Sequence, residues 1–172
     1  MNSTISAMHR PLSSNTVEPE IRLSIEELLT DYCHRLDDGD VDKWTSFFAE
    51  DATYKITTLE NVKRGYPLGI MYCDGRGMME DRIKALKTAN IFEEHVYCHI
   101  ISRPEIRKED GDIYSVRTNF SIFRTMYTGA SETFATGRYQ DMIRCTPSEA
   151  LFLEKQVIVD SRRIDTLLVL PI

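Results

Sequence analysis

The sequence has 172 residues, 42% apolar and 28% charged, which is the length of one domain and the composition of a folded one. Lys and Arg number 21 against 27 Asp and Glu, and the net charge of −6 argues against nucleic acid or an anionic membrane surface as the main partner. No apolar run reaches the roughly 18 residues of a spanning helix, so an integral membrane protein is not expected.

Residues 1–20 are rich in Ser, Thr, Asn and Pro without periodicity and read as a flexible N-terminal arm. They lack a basic stretch followed by an apolar core, so no secretory leader is expected and the chain reads as cytoplasmic. Residues 21–172 read as a single domain. Ser24 and Glu27 fit a capping box for a first helix, in which Ile25, Leu28, Leu29, Tyr32 and Leu36 form one apolar stripe. Gly39 ends it, and Asp40 is placed to cap a short second helix carrying Val41, Trp44, Phe47 and Phe48.

The period then changes. Ala52, Tyr54 and Ile56 alternate with polar residues, which predicts a strand, and a second is expected from Leu68 to Cys73. A third helix follows over Met78 to Ile91, with Met79, Ile83 and Leu86 on one side. Everything after His95 reads as β: a strand from Val96 to Ile106, a long one with Tyr114, Val116, Phe120, Ile122 and Met126 on one face, then Ser131 to Arg144 and Leu151 to Val159. Consecutive strands joined by turns at Asp110-Gly111 and Thr128-Gly129 pair antiparallel, and their apolar face must be covered. Three helices inside a curved sheet meet that demand, giving an α+β cone.

Signals for chemistry are sparse. Asp74-Gly75-Arg76-Gly77 lacks the third glycine and the lysine of phosphate loops and reads as the opening of the third helix. No Gly-x-Ser-x-Gly elbow is present. The widely spaced Cys33, Cys73, Cys98 and Cys145 form neither a disulfide framework nor a CxxC pair and read as reduced, mostly buried thiols. His95 and His99 would share one face of a strand, but roughly 13 Å apart, too far to hold one ion. Cys33-His34 and Cys98-His99 are adjacent residues on a helix and a strand, the wrong context for a Rieske cluster, whose ligands come from loops. Asp31, Tyr32, Asp51, Tyr54 and His99 are candidates for acid–base work if a pocket gathers them. The run Thr166 to Ile172 is almost wholly apolar and must be covered; an intersubunit position is expected.

Several segments together resemble a known family: Asp37-Asp38-Gly39 and Trp44, leading to Phe47-Phe48-Ala49-Glu50-Asp51-Ala52-Thr53-Tyr54, then Met78-Met79-Glu80-Asp81-Arg82-Ile83, then Glu93-Glu94-His95-Val96-Tyr97-Cys98-His99. Their order and spacing resemble the small (β) subunits of Rieske-type aromatic-ring-hydroxylating oxygenases. The closing Ile164 to Ile172 resembles the branch acting on aromatic acids, such as salicylate 5-hydroxylase and terephthalate dioxygenase. The resemblance implies a nuclear-transport-factor-2-like (cystatin-like) cone, a curved, mostly antiparallel sheet wrapped around three helices. It implies a non-catalytic structural subunit, forming the β trimer of an α3β3 hexamer that hydroxylates an aromatic acid such as salicylate, as a mono- or dioxygenase. The α subunit would carry the Rieske [2Fe–2S] cluster and mononuclear Fe(II), with NADH electrons arriving through reductase and ferredoxin. No catalytic, cofactor-binding or metal-binding residue is expected in this chain, and Trp44 and the apolar end are expected to support folding or assembly. The second reading is a self-contained enzyme on the same cone, similar to ketosteroid isomerases or scytalone-dehydratase-like proteins, with Tyr32, Asp51 or His99 acting in the pocket.

Overall fold

The structure is a computed structural model that describes residues 17–67, 69–89, 95–161 and 171–172. Helix α1, Pro19–Asp37, begins more than a turn before Ser24. Proline at its first position brings a preset φ and no wasted N–H, so Ser24 and Glu27 lie inside the helix rather than at its cap. The anticipated stripe is buried: Ile25, Leu28, Leu29, Tyr32 and Leu36, with Cys33 beside them. Gly39, at φ +71°, lets the chain turn into a short 3-10 helix, Val41–Phe47, that buries Trp44. Phe48, expected in that helix, instead opens strand β1, Phe48–Thr58.

Helix α2, Leu59–Arg64, has no counterpart in the sequence reading. Its ends carry ordinary signals: the Thr58 hydroxyl accepts the Asn61 N–H at 3.1 Å, and Gly65 closes it at φ +68°. Strand β2, Met71–Asp74, is shorter than predicted, and helix α3, Arg76–Ala89, starts two residues early. The strand expected from Val96 to Ile106 is two strands, β3 (His95–Ile101) and β4 (Glu105–Lys108), because Pro104 cannot donate to a ladder. Strands β5 (Ile113–Met126), β6 (Ser131–Cys145) and β7 (Ala150–Val159) follow the anticipated limits closely.

The seven strands form one sheet in the order β2-β1-β7-β6-β5-β3, with β4 also pairing β5. Every pairing is antiparallel except β1 with β7. Helix α1 packs on β3, β6 and β7, and α3 on β1 and β2, so the inner face of the sheet is covered as its apolar side requires. Register shifts bend the sheet. Phe134 is an extra residue in β6 opposite Ile122 and Phe123, and Leu153 is one in β7 opposite Met142 and Ile143. At Gly137 a Cβ would collide with the Ile158 carbonyl and press on the Phe120 ring, so the two strands approach where only glycine fits.

Candidate functional site

The inner end of the cone is walled by aromatic rings. Tyr32 comes from α1, Trp44 from the 3-10 helix, Phe48 and Tyr54 from β1, and Phe152 from β7, all buried. Their edges meet faces, with centroids 5.5 Å apart for Tyr32 and Phe152 and 5.0 Å for Trp44 and Tyr54. Ile172 is fully buried among these core residues. The Tyr32 and Tyr54 hydroxyls donate to its backbone oxygen at 3.1 and 3.0 Å, its N–H donates to the Tyr54 oxygen at 3.1 Å, and Trp44 Nε1 donates to the Tyr32 oxygen at 3.3 Å. Burial raises both phenols above their usual pKa, so they remain neutral donors. Residue 172 is therefore covered within its own domain. The rest of the apolar run, 166–170, lies outside the described residues.

Deeper on the same face sits a buried charge pair. Asp141 of β6 and Lys155 of β7 are cross-strand partners, and Lys155 Nζ lies 3.2 Å from Asp141 Oδ2. The ammonium is wrapped by rings, 3.7 Å from the centroid of Tyr139, 4.4 Å from Tyr32 and 4.5 Å from Phe152. Burial raises the Asp141 carboxyl from 3.8 to about 6, and burial lowers Lys155 from 10.5; in each the partner's attraction opposes the shift without cancelling it. Burial also raises the Cys33 thiol to about 12, so it is inert as a nucleophile.

The candidates named from sequence do not form one acid–base set. Tyr32 and Tyr54 do meet, on Ile172. Asp31 and Asp51 are exposed and join neither. His99 is buried, but Asp37 at the end of α1 clamps it: the imidazole Nδ1 lies 2.5 Å from Asp37 Oδ1, and the His99 backbone N–H donates to Oδ2 at 2.9 Å. That clamp ties α1 to β3. Cys33, Cys73 and Cys145 are buried on separate elements and Cys98 is exposed, while His34 is exposed on α1. Among the described residues no three His, Cys, Asp or Glu side chains form a group able to hold a metal, and these residues do not fit a Rieske cluster.

The sequence reading missed Asp141, Lys155 and Tyr139. Asp141 was legible, since it falls between Tyr139 and Ile143 on the inward parity of β6. Lys155 was not. Counting by twos from Phe152 puts it outside, and only the extra residue Leu153 turns it inward.

The outer side of the sheet is different in kind. Val96 and Ile100 of the edge strand β3 are 60% and 56% exposed, with Cys98 exposed between them. Phe123, the register partner of Cys98 on β5, is 40% exposed, and Tyr127 beyond it is 81% exposed. A groove of about 380 Å³ on the outer face of β4–β7 is by contrast polar, with Arg107, Arg117, Gln140 and Glu154 among its walls.

This element order, with helices held inside a mostly antiparallel sheet, defines a nuclear-transport-factor-2-like cone. A beta subunit from Novosphingobium aromaticivorans, assigned to an aromatic-ring-hydroxylating dioxygenase, superposes with a TM-score of 0.81 at 32% identity, covering 88% of this chain and 96% of that one. The beta 1 subunit of the terminal oxygenase component of terephthalate 1,2-dioxygenase from Comamonas is 36% identical over 141 residues, 82% of this chain and 92% of that protein. The small subunit of anthranilate 1,2-dioxygenase from Burkholderia cepacia is 37% identical over 142 residues, 82% and 88%. Residues 33–166 match the family described as the ring hydroxylating beta subunit, and the chain belongs to it.

Proposed function

We propose that this chain is the non-catalytic structural subunit of an aromatic-ring-hydroxylating oxygenase, forming the β trimer of an α3β3 hexamer. The carrying observation is its alignment along 92% of the terephthalate dioxygenase beta subunit, with family membership over 33–166. Terephthalate and anthranilate are both ring carboxylates, which supports an aromatic acid as substrate, with salicylate among those to test. The Rieske [2Fe–2S] cluster, the mononuclear Fe(II) and the aromatic acid belong to the large subunit in this reading, and ferredoxin and reductase bring electrons from NADH. The complex is cytoplasmic and binds neither nucleic acid nor membrane; among the described residues no helix is long and apolar enough to cross one.

No residue of this chain is assigned a catalytic, cofactor-binding or metal-binding role. Three features support that: Asp37 occupies His99, Ile172 occupies the two phenols, and the Lys155 ammonium is sealed by rings. An enzyme on the same cone would need an open pocket around such groups. The apolar face of Val96, Ile100 and Phe123 suits burial against a neighbouring subunit of the oxygenase.

The test is co-expression with the large subunit, ferredoxin and reductase, followed by a screen of aromatic acids. Oxygenated product is expected only when both oxygenase subunits are present, in a hexameric particle whose iron tracks the large subunit. Stoichiometric iron in the lone purified chain, or turnover by it, would overturn the proposal.

A further inference from the structure

We propose that Ile172 is a tethered occupant of a small-molecule site in the cone interior, one built for an amide or carboxylate carrying a short branched or aromatic body. The inference does not depend on the oxygenase assignment. It rests on how the residue is held. Three consecutive elements, α1, the 3-10 helix and β1, each supply one polar atom to a single connected cluster: the Tyr32 and Tyr54 hydroxyls meet the Ile172 backbone, and the Trp44 indole N–H supports the Tyr32 hydroxyl. Tyr32, Trp44 and Tyr54 are fully buried. Apolar walls with a few convergent polar groups are the ordinary make-up of a ligand pocket.

The hydrogen bonding is complete only with the occupant in place. The Ile172 oxygen takes both phenolic protons, while its N–H uses a lone pair of Tyr54. Without it, two buried phenols lose their acceptor, and the space filled by the Ile172 side chain becomes a cavity in the aromatic core. The recognised unit is thus one N–H, one carbonyl-type oxygen and a branched apolar group. A free molecule with that pattern meets the same partners. Covalent attachment makes the occupancy by Ile172 intramolecular, so a dilute free ligand does not displace it.

Two variants test this in the 172-residue chain: deletion of Pro171–Ile172, and Ile172→Ala. The probes are the dipeptide Pro-Ile and benzamide, read by thermal melting and by the fluorescence of Trp44, the single tryptophan. The deleted chain is expected to melt lower than wild type and to regain melting temperature saturably with millimolar Pro-Ile or benzamide, with a shift in Trp44 emission. Wild type is expected to respond to neither. Ile172→Ala keeps the backbone oxygen and opens only the side-chain space, so it is expected to take up xenon, seen as a saturable xenon NMR shift absent from wild type. A folded deletion variant that responds to neither probe overturns the proposal. So does a wild-type chain that responds as the deletion does, or an Ile172→Ala chain that takes no xenon. Should the deletion not fold, the xenon result decides alone.

Discussion

The inner and outer faces of the β3–β5–β6–β7 sheet invert the usual distribution of polarity. Inside, Lys155, Asp141, His99, Tyr32, Tyr54 and Tyr139 are removed from water: Asp141 pairs with Lys155, the Tyr139 ring faces the same ammonium, Asp37 holds His99, and the other two phenols bind Ile172. Outside, Val96 and Ile100 on the edge strand β3 and Phe123 on the neighbouring β5 stand in solvent. Buried polar groups and grouped exposed apolar ones are the informative departures in a folded chain. Here most of the first are held within the fold, with only Tyr139 Oη, Asp141 Oδ1 and His99 Nε2 of these side chains left without a hydrogen bond, and the second stand uncovered. The demand for a partner therefore lies on the outer face, while the polar interior does structural work.

The Asp141–Lys155 pair is where that contrast breaks most violently. Asp141→Ala leaves an ammonium buried without its carboxylate, a loss of about 3–5 kcal/mol and more than a small domain tolerates comfortably. The expected outcome is aggregation or a collapsed denaturant midpoint. The double change Asp141→Leu with Lys155→Met removes both charges and should recover most of that stability. A single variant as stable as wild type would show that the ring cage alone holds the ammonium.

The pair also gives the interior a pH dependence with a fixed sign. The carboxyl is raised from 3.8 to about 6, so its protonated form favours the fold. That contribution is complete below the unfolded value and is lost as pH rises through about 6. Lys155 is lowered from 10.5, so its cost is relieved only as pH rises above its folded value towards 10.5. Exposed carboxylates titrate in both proteins, and the melting-temperature difference between wild type and the double variant removes them. That difference should move against wild type from about pH 5 to pH 7. A flat difference would contradict the raised carboxyl.

Tyr54→Phe is a milder change. It removes the group that both donates to and accepts from Ile172, at about 1–3 kcal/mol, with no change in ring packing. Tyr32→Phe should cost a similar amount, since it takes one donor from the Ile172 oxygen and leaves the buried Trp44 indole N–H without its acceptor. A loss at Tyr54 alone in urea melts would mean that the Trp44 N–H finds another partner.

Most of the architecture follows from periodicity. The α1 stripe, the inward parity of β5 and the helix bearing Met79, Ile83 and Leu86 each repeat at their element's own spacing, and each is buried as that spacing requires. What escaped was set by single residues that override a pattern. Pro104 splits a strand, Thr58 and Gly65 frame a six-residue helix too short to show a period, and Leu153 reverses the side to which Lys155 points. The site escaped for a different reason. Tyr32 and Tyr54 were visible as residues, but the group joining them is the backbone of position 172, and a backbone atom leaves no mark in a sequence. The clamp of His99 by Asp37 joins positions 62 residues apart, and nothing local announces it.

The outer face supplies the change with the smallest effect on the fold and the clearest one on assembly. Val96→Asp with Ile100→Asp replaces two exposed side chains on the solvent side of β3, where neither packs against the core. Surface changes of this kind fall within about 0.5 kcal/mol, so the melting temperature of the isolated chain should barely move. In an assembled oxygenase the same positions would bring two carboxylates into an apolar contact, and burying unpaired charge is prohibitive. Co-purification with the large subunit is therefore expected to fail while the chain itself stays folded. A control at Arg117→Ala, in the polar groove on the outer face, should leave both stability and co-purification intact. If the double aspartate variant still enters the complex and the groove variant does not, the partner sits on the polar groove instead, and the apolar run on β3 is surface left uncovered.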